Sequence, residues 1–387
     1  MKKILANNIG KIVGLISCLI IALSIVSCYG SSETTSENGE GLYFTLNEDG
    51  ESYSVSGVYD DFNTPDYLKI IIPEEYDGKP VTRIESLGTE NLLYGFIDDG
   101  NIDLECLEIP RTIEYIDHSA INACSMLESI EVDENNSFFK DIDGVLYTKD
   151  ETTLIFYPKV RTDTSYEIPN NVNIIAEYAF FGCSSLVDIS IGDNVTKIGI
   201  GAFYDTGYYN DSTNWENDVL YLNDYLLDVR NTASGEYVIK EGTTVIASGA
   251  FEYCGKITSI VIPDTITIID DDTFSDCSSL TNIVIPNSIK SIGANAFSYC
   301  TSLESVVIPD SVENIGESAF SVCTALVSIT VGNGVKTIGS GAFQICRSLE
   351  AVYYTGSEEE WENIVIDYSY NEELYDATIY YNYVAVD

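Results

Sequence analysis

The chain has 387 residues, 62 acidic against 18 basic, one histidine and ten cysteines, for a formal charge of −44. So acidic a surface repels nucleic acid and anionic glycans, which excludes the nucleic-acid-binding classes. Carboxylates at this density also keep a strand-rich surface soluble and discourage sheet-to-sheet association.

The first 27 residues hold Lys2, Lys3 and Lys11, no acid, and an apolar run from Ile12 to Ser27. This composition predicts a secretory signal over 1–27. Its end, Ile25-Val26-Ser27-Cys28, resembles a bacterial lipobox, which implies lipidation at Cys28, with an ordinary cleaved signal or an uncleaved anchor as the other readings. Residues 28–41, rich in Ser, Thr, Glu and Gly, read as a tether. No later stretch is apolar enough to span a bilayer, so the rest is expected to be membrane-held only through its lipid.

Residues 42–103 read as an N-terminal cap with irregular repeats, ragged from Ser86 to Asp103, and 104–350 as the repeat body. In that body Phe251, Phe274, Phe297, Phe320 and Phe343 stand 23 residues apart, each followed three residues later by Cys and then by Leu or Ile. Such a period marks a solenoid. Within a unit, Leu303-x-x-Val306-x-Ile308 alternates as a short strand that ends at Pro309. Phe180, Cys183 and Phe203 continue the frame upstream, as do Ala120-Ile121, Cys124, Leu127 and Ile130. Near 133–165 and 207–235 the register breaks into runs of strand formers, such as Gly144-Val145-Leu146-Tyr147 before Leu154-Ile155-Phe156-Tyr157, predicting hairpin-like inserts. Gly199, Gly293, Gly316 and Gly339 are expected to allow a bend, and the unit with Asp270 for Gly and Thr273 for Ala to be the weakest packed. Residues 351–387 read as the C-terminal cap.

Six cysteines, Cys183, Cys254, Cys277, Cys300, Cys323 and Cys346, share one repeat slot, and Cys124 fits it too. Parallel side chains stacked in this way oppose the disulfide torsion, so buried thiols are expected. Cys106, between Leu104 and Leu107, is expected to turn outward and to be the reactive one. No Cys-x-x-Cys pair, calcium-loop spacing, Gly-x-Ser-x-Gly elbow around His118 or Gly-rich phosphate loop is present, so no metal, cofactor or catalytic residue is assigned. Asp270-Asp271-Asp272 is the tightest acidic cluster and reads as a diffuse counter-ion effect.

The frame Ile-Pro-x-x-Ile/Val-x-x-Ile-Gly-x-x-Ala-Phe-x-x-Cys-x-Ser-Leu-x-x-Ile-x-Ile, clearest from Ile262 to Val331, resembles the BspA-type leucine-rich repeat of bacterial surface proteins. The irregular units from Asn135 to Pro169, and Tyr354-Thr355-Gly356-Ser357 with Glu360-Trp361, resemble that family as well. The resemblance implies a curved right-handed repeat solenoid, mostly strand and turn, with short parallel strands on one face. It also implies a surface adhesin that binds host extracellular proteins or other cells, and it supplies no catalytic residues.

Outward strand positions define a candidate binding face, Ser190, Val261, Val284, Val307, Thr330 and Tyr353, beside a second column of Asp188, Ser259, Asn282, Ser305, Ser328 and Ala351. Strand propensity alone also places Val and Thr there. A second candidate is the aromatic insert with Tyr208, Tyr209, Trp215 and Tyr221, suited to stacking on sugars or anchoring a protein, or to packing the insert itself. The expected protein is therefore an exported, lipid-anchored, non-enzymatic surface protein that binds an extracellular or cell-surface protein. The alternatives are a polysaccharide-binding or polysaccharide-degrading protein and an envelope component without external ligand.

Overall fold

The computed structural model describes residues 35–36, 42–58, 69–85, 104–122 and 124–384. The expected signal over 1–27, Cys28 and the stretch 86–103 lie outside the described residues. Two compact units emerge, Met1–Gly144 and Val145–Asp387. Among the described residues no helix is long and apolar enough to cross a membrane.

In the first unit Leu42–Leu46 runs antiparallel to Tyr53–Val58, which pairs in parallel with Lys79–Ile84, and that strand with Tyr115–Ile116. A second parallel ladder joins Lys69–Ile71, Cys106–Ile109 and Ser129–Val132. The inward residues Val55, Ile70, Val81, Ile84, Leu107 and Ile130 are fully buried.

The second unit is a β-solenoid in which each 23-residue turn contributes two short strands and one tight turn. The longer strands stack in parallel as Gly235–Val238, Ile257–Val261 and Asn282–Val284, and then as Ser305–Ile308, Ser328–Val331, Ala351–Tyr354 and Thr378–Tyr380. The two-residue strands, from Ile268–Ile269 to Val365–Ile366, form a second ladder. On the turn side, the N–H groups of Phe251, Phe274, Phe297 and Phe320 donate to carbonyls of Thr273, Ala296, Ala319 and Ala342 at 2.7–2.9 Å. Backbone polar groups thus find partners between turns on every side, as burial requires.

Phenylalanine fills the coil. Phe274, Phe297, Phe320 and Phe343 are fully buried, with ring centroids 5.3, 5.0 and 5.5 Å apart and nearly parallel planes. The repeated cysteine has an equally definite reason. The thiols of Cys277, Cys300, Cys323 and Cys346 donate to the carbonyls of Phe251, Phe274, Phe297 and Phe320 at 3.3, 3.3, 3.2 and 3.0 Å. A small, apolar side chain with one weak donor suits a slot that faces a carbonyl in the core.

Both inserts are hairpins. Val145–Thr148 returns antiparallel as Thr153–Phe156, which then joins Ile174–Ile175 and Lys197–Ile198 in parallel. Trp215–Glu216, Val219–Leu222 and Tyr225–Val229 form an antiparallel set whose last strand pairs in parallel with Val245–Ile246. In each insert the returning strand takes the place of a two-residue strand, so the stack resumes without a gap.

Two packing expectations are corrected. The turn with Asp270 is not loose: Phe274, Cys277 and Leu280 are fully buried. Lys197 Nζ donates to Asp270 Oδ1 at 2.9 Å and to Asp271 Oδ2 at 3.2 Å, and Thr273 donates its hydroxyl to the Asp270 carbonyl at 2.7 Å. The substituted polar groups satisfy each other. Gly293, Gly316 and Gly339 serve close approach rather than a bend, because a Cβ on any of them would lie 2.5–2.6 Å from backbone of the preceding turn.

At the turn of Phe343 side chains supply the partners that backbone carbonyls supply in the earlier turns. Fully buried Asn371 accepts the Phe343 N–H at 3.1 Å and donates to Gly339 and Asp367 carbonyls, while Glu373 Oε1 accepts the Ile345 N–H at 3.0 Å. Helix Glu358–Glu362 starts from a capping box between Ser357 and Glu360 and buries Trp361 against Tyr354.

Candidate functional site

Most of the outward strand positions of the repeat fall on the strand side of the second unit. Val261 pairs in register with Val284, Val307 with Thr330, and Thr330 with Tyr353. Val261, Val284 and Val307 are 46, 61 and 54% exposed, high values for valine. The column is longer than the 23-residue frame indicated: Val238, 64% exposed, lies beside Val261, and half-exposed Tyr380 beside Tyr353. Both strands depart from the repeat motif, so only three-dimensional pairing reveals them.

Two members behave differently from expectation. Thr330 is 9% exposed and belongs to the buried set. Its register partner Tyr353 stacks on Tyr380 at 5.3 Å and packs on Tyr383 at 4.7 Å, an aromatic group large enough to cover a threonine beside it. Ser190 is exposed but belongs to a separate two-stranded sheet with Ser165–Glu167, opposite Glu167. The exposed valines therefore fall on two successive sheets, Val238, Val261 and Val284 on one and Val307 at the start of the next, which ends on the tyrosine group. Exposed Glu236 stands on one of these strands, Glu304 and Glu350 just before theirs, and Asp264 and Asp310 in the turns that follow. A neutral, β-branched stripe with an acidic border is suited to a flat protein surface.

The insert aromatics are half-buried and bonded within their own segment. Tyr208 donates its hydroxyl to the Tyr221 carbonyl at 2.6 Å, Tyr209 to Asp228 Oδ2 at 2.7 Å, and Trp215 Nε1 to the Tyr209 carbonyl at 2.7 Å. Arg230 lies over the Trp215 ring at 4.2 Å, and the Tyr221 hydroxyl accepts the Lys240 N–H at 3.2 Å. These contacts hold the hairpin, the packing reading of the four rings.

Tyr209 also explains a buried acid. Burial pushes the Asp228 carboxyl up to about 6, although the Tyr209 hydroxyl and the Val229 N–H, at 2.7 Å each, favour its charged form. Folded Asp228 holds its proton between pH 3.8 and about 6, where the unfolded chain has lost it, so stability falls as pH rises through that window and then levels. Partial water contact limits the effect to about 2 kcal/mol. Asp228→Asn should therefore be more stable than the parent at neutral pH and lose the slope between pH 4 and 6 in urea titrations; parallel pH profiles would contradict this.

Cys106 is 2% exposed, not outward and reactive. Alternation does place it on the outer side of its strand, but Lys69 stands in register beside it and lies close enough to interact electrostatically. Burial raises Cys183 and Cys254 to about 12 and lifts Cys277 and Cys300 well above the ordinary thiol range. Ellman's reagent at pH 8 should leave the eight cysteines from Cys106 to Cys346 untouched in native residues 29–387 and titrate all eight in denaturant. Native reaction of Cys106 or of the ladder would refute the burial.

In the first unit a groove between Pro73 and Pro110 is lined by Glu74, Glu108 and Glu131. Arg111 pairs with Glu74 at 2.8 Å, and Lys69 pairs with Glu108 and with Glu131 at 3.4 Å. Among the described residues no group of three or more His, Cys, Asp or Glu is placed to hold a metal ion.

A 23-residue turn, stacked parallel strands and inward Leu, Ile and Phe define the class as a leucine-rich-repeat β-solenoid. The chain belongs to the BspA type leucine rich repeat region family, whose model matches six copies over residues 96–144, 155–242 and 244–372. It is similar to the solved structure of a leucine rich cell surface protein from Faecalibacterium prausnitzii A2-165, at 21% identity over 87% of this chain and 99% of that one, with a TM-score of 0.39. A leucine-rich repeat protein from Eubacterium ventriosum is 21% identical over 79% and 92% of the two chains, with a TM-score of 0.32. One from Bacteroides ovatus is 19% identical over 88% and 98%, with a TM-score of 0.31. A search of curated proteins gave no match.

Proposed function

We propose that this chain is a non-enzymatic surface protein, lipid-anchored through Cys28, whose strand face captures an extracellular or cell-surface protein. The observation that carries this reading is the exposed stripe Val238, Val261, Val284 and Val307, unusual on a body of charge −44. The family match supports a repeat scaffold that binds proteins, and repeat scaffolds use extended surfaces of this kind. The leader ending Ile25-Val26-Ser27-Cys28 supports export and anchoring. Glycan capture is the second reading, favoured by half-exposed Tyr380 stacked on Tyr353 where the stripe ends.

The test is binding of residues 29–387 to an array of extracellular-matrix proteins, plasma proteins and glycans at physiological salt. Saturable capture of a protein is the expected result. Capture of a glycan alone would favour the second reading, and silence across the array would leave an envelope role.

A further inference from the structure

A second surface lies on the turn side of the second unit. Its starting point is a set of bulky residues in a backbone region that such residues disfavour. Tyr178, Tyr253 and Tyr299 have φ of 54, 61 and 59°, where glycine or asparagine is the ordinary occupant. They are also exposed, at 36, 62 and 49%. Tyr253 and Tyr299 share one repeat slot with Gly182, Asp205, Asp276, Val322 and Ile345, and Tyr178 shares another with Asp272, Asn295 and Ser318, all at positive φ, so the fold sets the backbone there and does not require an aromatic. The strained backbone belongs to the repeat, and what is particular to these three positions is an exposed ring.

The three rings are contiguous through carboxylates. Tyr253 N–H donates to the Ser275 carbonyl at 3.0 Å and Asp276 N–H to the Ser298 carbonyl at 2.8 Å, which places Asp276 between Tyr253 and Tyr299. The Tyr178 ring lies where a Cβ on Gly201 would come within 2.6 Å, and it interacts electrostatically with Glu252 and Asp272. The stretches 176–182, 247–254, 270–277 and 293–300 contain no Lys or Arg. Lys197 pairs with Asp270 and Asp271, and among the described residues Glu252, Asp272 and Asp276 are in no ion pair. Burial and neighbouring carboxylates push Glu252 and Asp272 up, so the patch is electrically unbalanced.

We propose that the turn face from Tyr178 to Tyr299 is a docking surface for a cationic polypeptide segment, whose lysines and arginines stack on the tyrosine rings and pair with Glu252, Asp272 and Asp276. Aromatic faces interleaved with unneutralised carboxylates are complementary to such side chains in both charge and shape. This surface is separate from the valine stripe and stands whether or not that stripe binds.

The test is fluorescence anisotropy of a labelled alternating lysine–arginine peptide with the full chain at physiological salt, comparing the parent with Tyr253→Asn/Tyr299→Asn. The double variant keeps every charge and puts a residue tolerant of positive φ at both sites, so it folds at least as well by thermal unfolding. Saturable binding, weakened about tenfold in the variant, is expected. Equal affinity in both proteins would reduce the effect to the diffuse acidity of the body and overturn the proposal. Absence of saturable binding by the parent, or capture of a neutral glycan in its place, would overturn it as well.

Discussion

Replacing Phe297 by alanine is expected to destabilise the second unit by about 3–5 kcal/mol, the range for a large aromatic removed from a packed core. Phe297 is fully buried, and its ring is 5.3 Å from Phe274 and 5.0 Å from Phe320, so one truncation removes contacts to two turns. Solenoid stability is close to a sum of repeat terms and nearest-neighbour interface terms, and the variant weakens both interfaces at once. Urea unfolding should show a lower midpoint and a broader transition as the flanking segments uncouple. Phe343, whose ring stacks on Phe320 and whose N–H donates to Asn371, should cost less on the same change. A loss below about 1 kcal/mol at Phe297 would mean that the ladder is not what holds the turns together.

Gly316→Ala should also be severe, at about 3 kcal/mol or more, and its sign separates two explanations of the repeated glycine. If glycine were present only for flexibility, alanine would stabilise by restricting the unfolded chain. A Cβ at Gly316, however, would sit 2.5 Å from the carbonyl carbon of Gly293 and 2.6 Å from the Ala294 nitrogen. Backbone cannot yield as a side-chain end does, and the bond from Gly316 N–H to the Ile292 carbonyl at 2.8 Å holds the two turns at that spacing. Gly235 is the control: its φ is +80° but nothing lies within 4 Å of an added Cβ, so alanine there should cost only about 1 kcal/mol. A stabilised Gly316→Ala protein would refute the close-approach account.

The repeat made the turn, the Phe and Cys slots and both hairpins readable, because each depends on residues within one period or one short run. What escaped the sequence depends on contacts between turns. Thr330 looks outward by alternation and is covered because Tyr353 lies in the next strand. Lys197 meets Asp270 across 73 residues, with the second insert between them, so an apparent defect in the frame is half of an ion pair. Asn371 and Glu373 accept the N–H groups of Phe343 and Ile345 in place of backbone carbonyls, a role no local pattern announces. Val238 joined the candidate face only through its pairing with Val261, since Gly235–Val238 follows the insert and lacks the motif.

In the proposed function the strand face, rather than the acidic body as a whole, makes the functional contact. The most direct measurement is array binding by Val261→Lys/Val284→Lys/Val307→Lys, with circular dichroism confirming an unchanged fold. The three side chains are outward and 46–61% exposed, so the substitutions leave the core intact. Loss of the captured protein, with the fold retained, is the predicted result. Undiminished capture by the charged face would contradict the account.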